Sequence, residues 1–214
     1  MLLKKERQKV VEYCIRLLET GLTKGTGGNI SILNSKTKYF AISPSGKDYN
    51  SMKIEDIVIM DYDGNIVEGS SKPSTEFEMH RQIYINHSDA KAVVHCHSPY
   101  ATALSILNED LPASNYLVAI GGGNDIKCTK YKSFGTIDIA LEALSALEFR
   151  KACLLANHGQ IAYSHSIDSA FNIASTVEEC AMTYMIARSA GTPRILSESE
   201  MEYMATKFQT YRQD

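Results

Sequence analysis

Residues 92–97, which read Ala-Val-Val-His-Cys-His, constrain the fold of this chain more than any other segment. Their apolar and β-branched start predicts a buried strand. Because successive side chains on a strand point to opposite faces, His95 and His97 should share one face and Cys96 should lie on the other. Two imidazoles on rigid backbone are typical of a catalytic zinc site, although a strand end with two solvated histidines explains the same residues.

The composition indicates an ordinary folded protein of one domain. The chain has 214 residues, with 44% hydrophobic and 22% charged residues, and we expect a single domain over residues 1–214. A formal net charge of -3 gives no electrostatic basis for binding nucleic acid or an anionic membrane. No apolar run is long enough to span a bilayer, and the first residues become charged at once, so we expect a cytoplasmic location.

The cysteines do not suggest a disulfide framework. Their number is odd, their positions are scattered and none forms a Cys-x-x-Cys pair. We expect all five to be reduced and mostly buried: Cys14, Cys96, Cys128, Cys153 and Cys180.

Hydrophobic periodicity and turn residues predict alternating strands and helices. The predicted helices cover residues 3–18, about 75–86, 99–107, 137–147, 166–190 and 197–208. The predicted strands cover residues 30–33, 39–42, 57–61, 66–68, 92–97, 126–129, 152–156 and a segment from 161. We expect Thr136 to cap the helix that follows it.

Two polar segments have both a structural and a functional interpretation. The glycine-rich stretch 25–31 fits a plain turn before a strand, and it also allows a ligand to approach the backbone. In the segment 72–78, Thr75 and Glu78 form a capping-box pattern. A helix beginning there would favour an anion beside Ser74 and Thr75 and would place Glu76 in its first turn, where the helix dipole alone explains an acidic residue.

A third histidine joins the first two. His158 follows a second buried strand, as His97 follows the first, and residues at strand ends usually face a ligand crevice. Three such histidines suit a three-ligand zinc site with an open position for substrate. The other three histidines look like surface or capping residues: His80, His87 and His165.

Five motifs in register resemble the class II aldolase/adducin family. They are Gly-Thr-Gly-Gly-Asn (25–29), Ser-Pro-Ser-Gly (43–46), Lys-Pro-Ser-Thr-Glu (72–76), His-Cys-His (95–97) and Asn-His-Gly (157–159). The resemblance covers essentially the whole chain, and the branch that looks most similar is that of the L-fuculose-1-phosphate aldolases. It implies an α/β domain with a central, mostly antiparallel sheet flanked by helices in three layers. It also implies a homotetramer with active sites between subunits.

The resemblance implies a reaction and a role for each motif. The family's enzymes cleave a ketose 1-phosphate, here L-fuculose 1-phosphate or a similar sugar, reversibly to dihydroxyacetone phosphate and an aldehyde such as L-lactaldehyde. One zinc ion per subunit would stabilise the enediolate charge as a Lewis acid. The matching metal ligands are His95, His97 and His158, joined by Glu76 when no substrate is bound. Glu76 matches the general acid/base, and Tyr116 matches a catalytic tyrosine from the neighbouring subunit. The matching phosphate-binding residues are Gly28, Asn29, Ser45, Gly46, Ser74 and Thr75.

Other branches of the family remain open. Ribulose-phosphate 4-epimerases have an aspartate at the position of Glu76 and a His-Ala-Asp segment at residues 115–117, so they fit less well. Methylthioribulose-1-phosphate dehydratases, and aldolases of 5-deoxyribulose or methylthioribulose phosphate, are harder to separate. An adducin-like interaction domain would have lost the catalytic groups, and the intact histidines and Glu76 argue against it. The C-terminal tail around Tyr211 is shorter than this branch suggests, which leaves the aldehyde open.

Overall fold

A seven-stranded antiparallel sheet forms the centre of the molecule. This computed structural model describes residues 1–211, so residues 212–214 of the predicted tail lie outside it. The strands are β1 (Asn29–Asn34), β2 (Tyr39–Ile42), β3 (Val58–Met60), β4 (Ile66–Glu68), β5 (Ala92–Cys96), β6 (Ala152–Leu155) and β7 (Gly159–Ser164). Their order across the sheet is β4-β3-β2-β1-β5-β7-β6, and all neighbours pair antiparallel.

Helices cover both faces of this sheet. They are α1 (Lys4–Glu19), α2 (Phe77–Asn86), α3 (Pro99–Ile106), α4 (Ile137–Leu147), α5 (Ile167–Ala190) and α6 (Glu198–Tyr211), with short 3₁₀ helices at Ile54–Asp56 and Tyr116–Gly121. Two apolar cores result, one on the side of α1, α3 and α5 and one on the side of α2 and α4. The predicted three-layer α/β domain with a central antiparallel sheet is confirmed.

Strand β5 lies in the middle of the sheet and contributes to both cores. Ala92, Val94 and Cys96 lie in the core beneath α1, α3 and α5, whereas Val93 lies in the core on the other face. The predicted alternation is therefore confirmed, and Cys96 is on the opposite face from His95. All five cysteines are free thiols, and four of them are buried.

Several predicted helix ends are confirmed by their caps. The hydroxyls of Thr136 and Ser166 accept hydrogen bonds from the N–H groups of Ile139 and Ser169, which begins α4 and α5 where the sequence indicated. The start of α2 was predicted wrongly. This helix begins at Phe77, Glu76 is its N-cap residue and no side chain caps it, so the capping box of Thr75 does not form.

The predicted strand at 126–129 is also wrong, since this segment makes only isolated bridges. Ile126 pairs with Leu111, whereas Cys128 pairs with Leu154. The N–H of Cys128 donates instead to the carboxylate of Asp110. Each bridge involves a single residue of this segment, so no continuous strand ladder forms.

Among the helices that the structure describes, none has the length and apolar character needed to cross a membrane.

Candidate metal centre

Three imidazoles converge at one end of the sheet. His95 is on β5, His97 follows that strand directly, and His158 lies in the turn between β6 and β7. The three ring centroids are 4.8–4.9 Å apart, and the Nε2 atoms of His95 and His97 are separated by 3.0 Å. The antiparallel pairing of β5 with β7 therefore brings together side chains more than 60 residues apart in the sequence.

Glu76 completes this group from the start of α2. Its Oε2 lies 3.2 Å from Nε2 of His95, and its Oε1 lies 3.3 Å from Nε2 of His158. The side chain is buried, and Oε1 accepts no hydrogen bond. A buried carboxylate oxygen without a hydrogen bond, pointing at imidazole nitrogens, is an arrangement that a cation would satisfy.

The hydrogen bonds of His95 fix which of its nitrogens is free. Nδ1 lies 2.8 Å from the carbonyl oxygen of Gln160, which can only accept, so Nδ1 carries the proton. The neutral ring then presents the Nε2 lone pair to the cluster. A backbone carbonyl behind a histidine is the usual partner that orients a metal-ligating imidazole.

Electrostatics in the cluster favour an ionised Glu76 and neutral rings at His97 and His158, whereas the pKa of His95 is shifted the other way. Burial raises the pKa of Glu76, but the charge and hydrogen bond of His95, the charge of His158 and the Asn29 amide outweigh it and leave the pKa well below its usual range. Burial and the neighbouring imidazoles lower the pKa of His97 to about 3 and that of His158 to about 4. Burial also opposes the charged form of His95, yet Glu76 raises its pKa.

These four residues fit a divalent metal. Their donor atoms all lie within 4.8 Å of one another, and three imidazoles with one carboxylate are a ligand set that suits zinc. The predicted ligand residues Glu76, His95, His97 and His158 are thus brought together.

The predicted phosphate-binding segments adjoin this group and one another. The N–H of Ser43 donates to the carbonyl of Ile30 (3.0 Å), and the N–H of Ser74 donates to the carbonyl of Ser43 (3.0 Å). A further bridge joins Pro44 to Pro73. The backbones of the segments that contain the turns at 25–29, 43–46 and 72–76 are therefore joined to one another, and the last of these turns includes Glu76.

Two residues of these segments have structural roles that the sequence did not reveal. Gly28 has φ +76°, and a Cβ there would lie 2.6 Å from the carbonyl oxygen of His95, so the close approach of two backbones requires glycine. Asn29 is buried, and its Nδ2 donates to Oε2 of Glu76 at 2.9 Å.

Tyr116 does not join the cluster within this chain. It lies on the 3₁₀ helix Tyr116–Gly121, it is 48% exposed, and its ring stacks on Phe208 with centroids 6.1 Å apart.

A cavity of about 350 Å³ lies over the cluster. It is lined by Thr75, Glu76, His97, Tyr131, Lys132, Phe134, Asn157 and His158. A larger groove of about 950 Å³ beside α6 shares none of these residues and is lined by none of the three clustered histidines.

Sequence reasoning missed part of this site. Tyr131 and Phe134 line the cavity and are 61% and 70% exposed. In the sequence, their only distinguishing feature is that they are aromatic residues within a polar loop. His80 was predicted to be a surface or capping residue, but it is completely buried and lies behind Glu76. Its neighbours Ser31 and Asn29 come from β1, which no helical periodicity of α2 reveals.

Known proteins are similar to this chain in sequence and in fold. The family described as Class II Aldolase and Adducin N-terminal domain matches residues 8–185. A relative named 5-deoxy-D-ribulose 1-phosphate aldolase, from Bacillus thuringiensis serovar kurstaki, is 47% identical over 100% of both chains. A 5-methylthioribulose-1-phosphate/5-deoxyribulose-1-phosphate aldolase from Rhodospirillum rubrum is 40% identical over 96% of this chain and 91% of its own. A solved structure titled L-fuculose 1-phosphate aldolase superimposes with a TM-score of 0.94, at 44% identity over 96% of each chain.

Proposed function

Because the chain belongs to the class II aldolase and adducin family, we propose that it is a metal-dependent aldolase that reversibly cleaves a ketose 1-phosphate. The products are dihydroxyacetone phosphate and an aldehyde. One observation carries this proposal: the buried carboxylate of Glu76 faces three imidazoles and keeps one oxygen without a hydrogen bond. An adducin-like interaction domain needs no such group.

The relatives suggest two candidate sugars. The protein similar at 47% identity is named for 5-deoxy-D-ribulose 1-phosphate, and we take a 5-deoxypentulose 1-phosphate as the first candidate. L-Fuculose 1-phosphate is the second, because the structure at a TM-score of 0.94 is titled for it. Both sugars contain the same phosphorylated three-carbon half and differ in the aldehyde released, which is acetaldehyde for the first and L-lactaldehyde for the second.

The reaction breaks the bond between C3 and C4 and leaves its electron pair on the dihydroxyacetone phosphate half. When bound by His95, His97 and His158, a divalent metal supplies Lewis-acid stabilisation of the enediolate charge. Glu76 returns a proton to C3 in cleavage and removes it in synthesis. An ionised carboxylate, which the lowered pKa of Glu76 favours, is the form that can remove this proton. In synthesis Tyr116 donates its hydroxyl proton to the aldehyde oxygen. In cleavage the transfers run in reverse: the deprotonated Tyr116 accepts the proton of the C4 hydroxyl and the protonated Glu76 supplies the proton to C3, and proton exchange with solvent returns both groups to their starting forms.

The substrate phosphate would lie against the turns at 25–29, 43–46 and 72–76, whose segments are joined by backbone contacts. The N–H groups of Ser45 and Ser74 are already bonded to the carbonyls of Lys72 and Ser43. The phosphate contacts therefore fall mainly to the hydroxyls of Ser45, Ser74 and Thr75 and to the N–H of Gly46. Two further predicted phosphate-binding residues are Gly28 and Asn29, and the Asn29 amide has a second N–H that does not donate to Glu76.

The test is a coupled assay of dihydroxyacetone phosphate release from each sugar, before and after chelation. We expect release that a chelator abolishes and zinc restores. His97→Ala should lose activity, whereas His165→Ala, at an exposed histidine, should retain it. Release that continues without metal would contradict the metal requirement. No release from either sugar by the zinc-loaded protein would contradict the aldolase proposal.

A further inference from the structure

Five buried polar side chains form a continuous hydrogen-bonded chain that ends at the candidate base. The hydroxyls of Tyr84 and Ser31 are 2.7 Å apart, and Ser31 Oγ lies 2.7 Å from Nδ1 of His80. Nε2 of His80 lies 2.5 Å from Oδ1 of Asn29, whose Nδ2 donates to Glu76. Each of the five side chains is less than a tenth exposed, so the relay chain, as we call this group, is shielded from water.

The direction of every hydrogen bond in the relay chain follows from Glu76. An ionised carboxylate only accepts, so the group of Asn29 that faces it must be the NH₂, and Oδ1 must face His80. Oδ1 also only accepts, so Nε2 of His80 carries the proton. Nδ1 is then an acceptor and takes the hydroxyl proton of Ser31. Each donor in this arrangement meets an acceptor, which requires His80 to be neutral.

The surroundings of His80 agree with that requirement. Burial, followed by the charge on His95, lowers the pKa of His80 to about 3 even though Glu76 opposes the shift. A neutral imidazole with fixed tautomer holds the Asn29 amide in one orientation. Without it, Asn29 Oδ1 would be a buried acceptor lacking a donor, and rotation of the amide would turn an oxygen toward the Glu76 carboxylate.

We propose that His80 is a positioning residue for the aldolase reaction: through Asn29, it holds the Glu76 carboxylate so that Oε2 is hydrogen-bonded and Oε1 stays free of hydrogen bonds within the histidine cluster. This inference rests on the proposed function for the role of Glu76 in catalysis. It assigns no contact between His80 and the substrate. The proposed role also explains why a histidine is completely buried at this position of α2, where an apolar residue could be buried at a lower cost in desolvation free energy.

The first test compares His80→Leu with His80→Gln in the full-length, zinc-loaded protein. His80→Leu removes the donor to Asn29, and we expect kcat to fall about 10- to 100-fold, as for other residues that orient a site from behind, with KM changed less than about threefold. His80→Gln keeps an N–H donor and should restore most of kcat. The matched control is His87→Leu, because Nδ1 of His87 also meets a hydroxyl, that of Tyr163, but contacts no member of the relay chain. It should keep kcat within about twofold while losing stability.

A double-mutant cycle tests whether the effect passes through Asn29. After Asn29→Ala, the further change His80→Leu should alter kcat by less than about twofold, since coupled residues are not additive. Zinc affinity, measured by competition with a chromophoric chelator, gives a second readout, and His80→Leu should weaken it toward the value of Glu76→Gln. Folded His80→Leu protein with wild-type kcat and zinc affinity would overturn the inference, as would equal losses in His80→Leu and His80→Gln. If the wild type releases no dihydroxyacetone phosphate, the proposed function has failed, and the zinc affinities alone decide the positioning role.

Discussion

The Glu76 carboxylate contacts two sets of groups at once: its oxygens lie beside imidazoles of the histidine cluster, and Oε2 also accepts a hydrogen bond from Asn29. Glu76→Gln keeps its shape and removes its charge and its ability to carry the proton. We expect zinc to stay bound at saturating concentration, because three imidazoles remain, while kcat falls about 10²- to 10⁴-fold, the usual range for a lost general base. Zinc per subunit and turnover, measured on the same sample, check this. Near-normal turnover would remove Glu76 as the base.

His80 also predicts how stability depends on pH. Its pKa is about 3 in the folded chain, against an ordinary value of 6.5. Between these two pH values, His80 of the unfolded chain binds a proton that His80 of the folded chain does not, and this proton stabilises the unfolded state. Through His80, the folded state therefore loses no stability above pH 6.5 and loses progressively more as the pH falls. The maximum slope for one such group is about 1.4 kcal/mol per pH unit. Urea unfolding of the metal-free protein from pH 7 to 4 should therefore show a steeper loss for the wild type than for His80→Gln. Parallel curves would contradict a neutral, buried His80.

The residues of the site differ in how far sequence alone could place them. His95 and His97 were predictable, because the alternation of side chains along a strand is a local rule that the apolar run of β5 makes visible. His80 was not, because a histidine on an amphipathic helix has the same local pattern whether it faces solvent or a polar neighbour. Its burial depends on Ser31 and Asn29, which the sheet places opposite α2.

The hairpin of β6 and β7 fixes His158 against β5. Gly159 begins β7, and a Cβ there would lie 2.5 Å from the carbonyl oxygen of Cys96 and 3.2 Å from Cδ2 of His97. Because the obstacle is backbone of the central strand, Gly159→Ala must separate β7 from β5 where the histidines meet. We expect a loss of about 1–3 kcal/mol in the free energy of unfolding, together with weaker zinc binding.

Gly191→Ala provides the matched control for this hairpin variant. Gly191 follows α5 in an extended conformation, and a Cβ there would meet no atom within 4 Å. The free energy of unfolding of the Gly191→Ala protein should stay within about 0.5 kcal/mol of the wild-type value. If denaturant unfolding gave equal values for the two variants, the close approach of the strands would not be what requires glycine at 159.

Among the elements, those with a strong local pattern were predicted well and those decided by tertiary partners were not. Helix α4 begins and ends where its periodicity and Thr136 indicated. The capping box of Thr75 does not form because α2 begins at Phe77, with Glu76 as its N-cap residue, so Glu78 is not at the third helical position. The Glu78 carboxylate accepts from Nε of Arg81. The segment 126–129 has strand composition, but Ile126 and Cys128 make only isolated bridges, each with a different neighbour.

At the scale of the whole molecule, the candidate site is a product of the fold and of no single segment. Glu76 comes from the start of α2, two histidines come from the end of the central strand and the residue after it, and the third comes from a hairpin that is distant in sequence. Since such a cluster does not exist in the unfolded chain, metal that binds it should favour the folded state. Tyr116, one of the two predicted catalytic residues, lies outside this cluster.

Tyr116 is half exposed and stacks on Phe208, away from the cavity over the cluster, so the catalytic role proposed for it requires a second copy of the chain. We expect light scattering to give about four times the 23.7 kDa subunit mass. Tyr116→Phe should lower kcat severely, whereas Tyr203→Phe, at an exposed tyrosine of α6, should not. Mixed oligomers of Tyr116→Phe and Glu76→Gln should recover about one quarter of wild-type activity, because a shared site with both residues intact then forms at random. A monomer, or no recovery from co-expressed variants, would exclude the shared site.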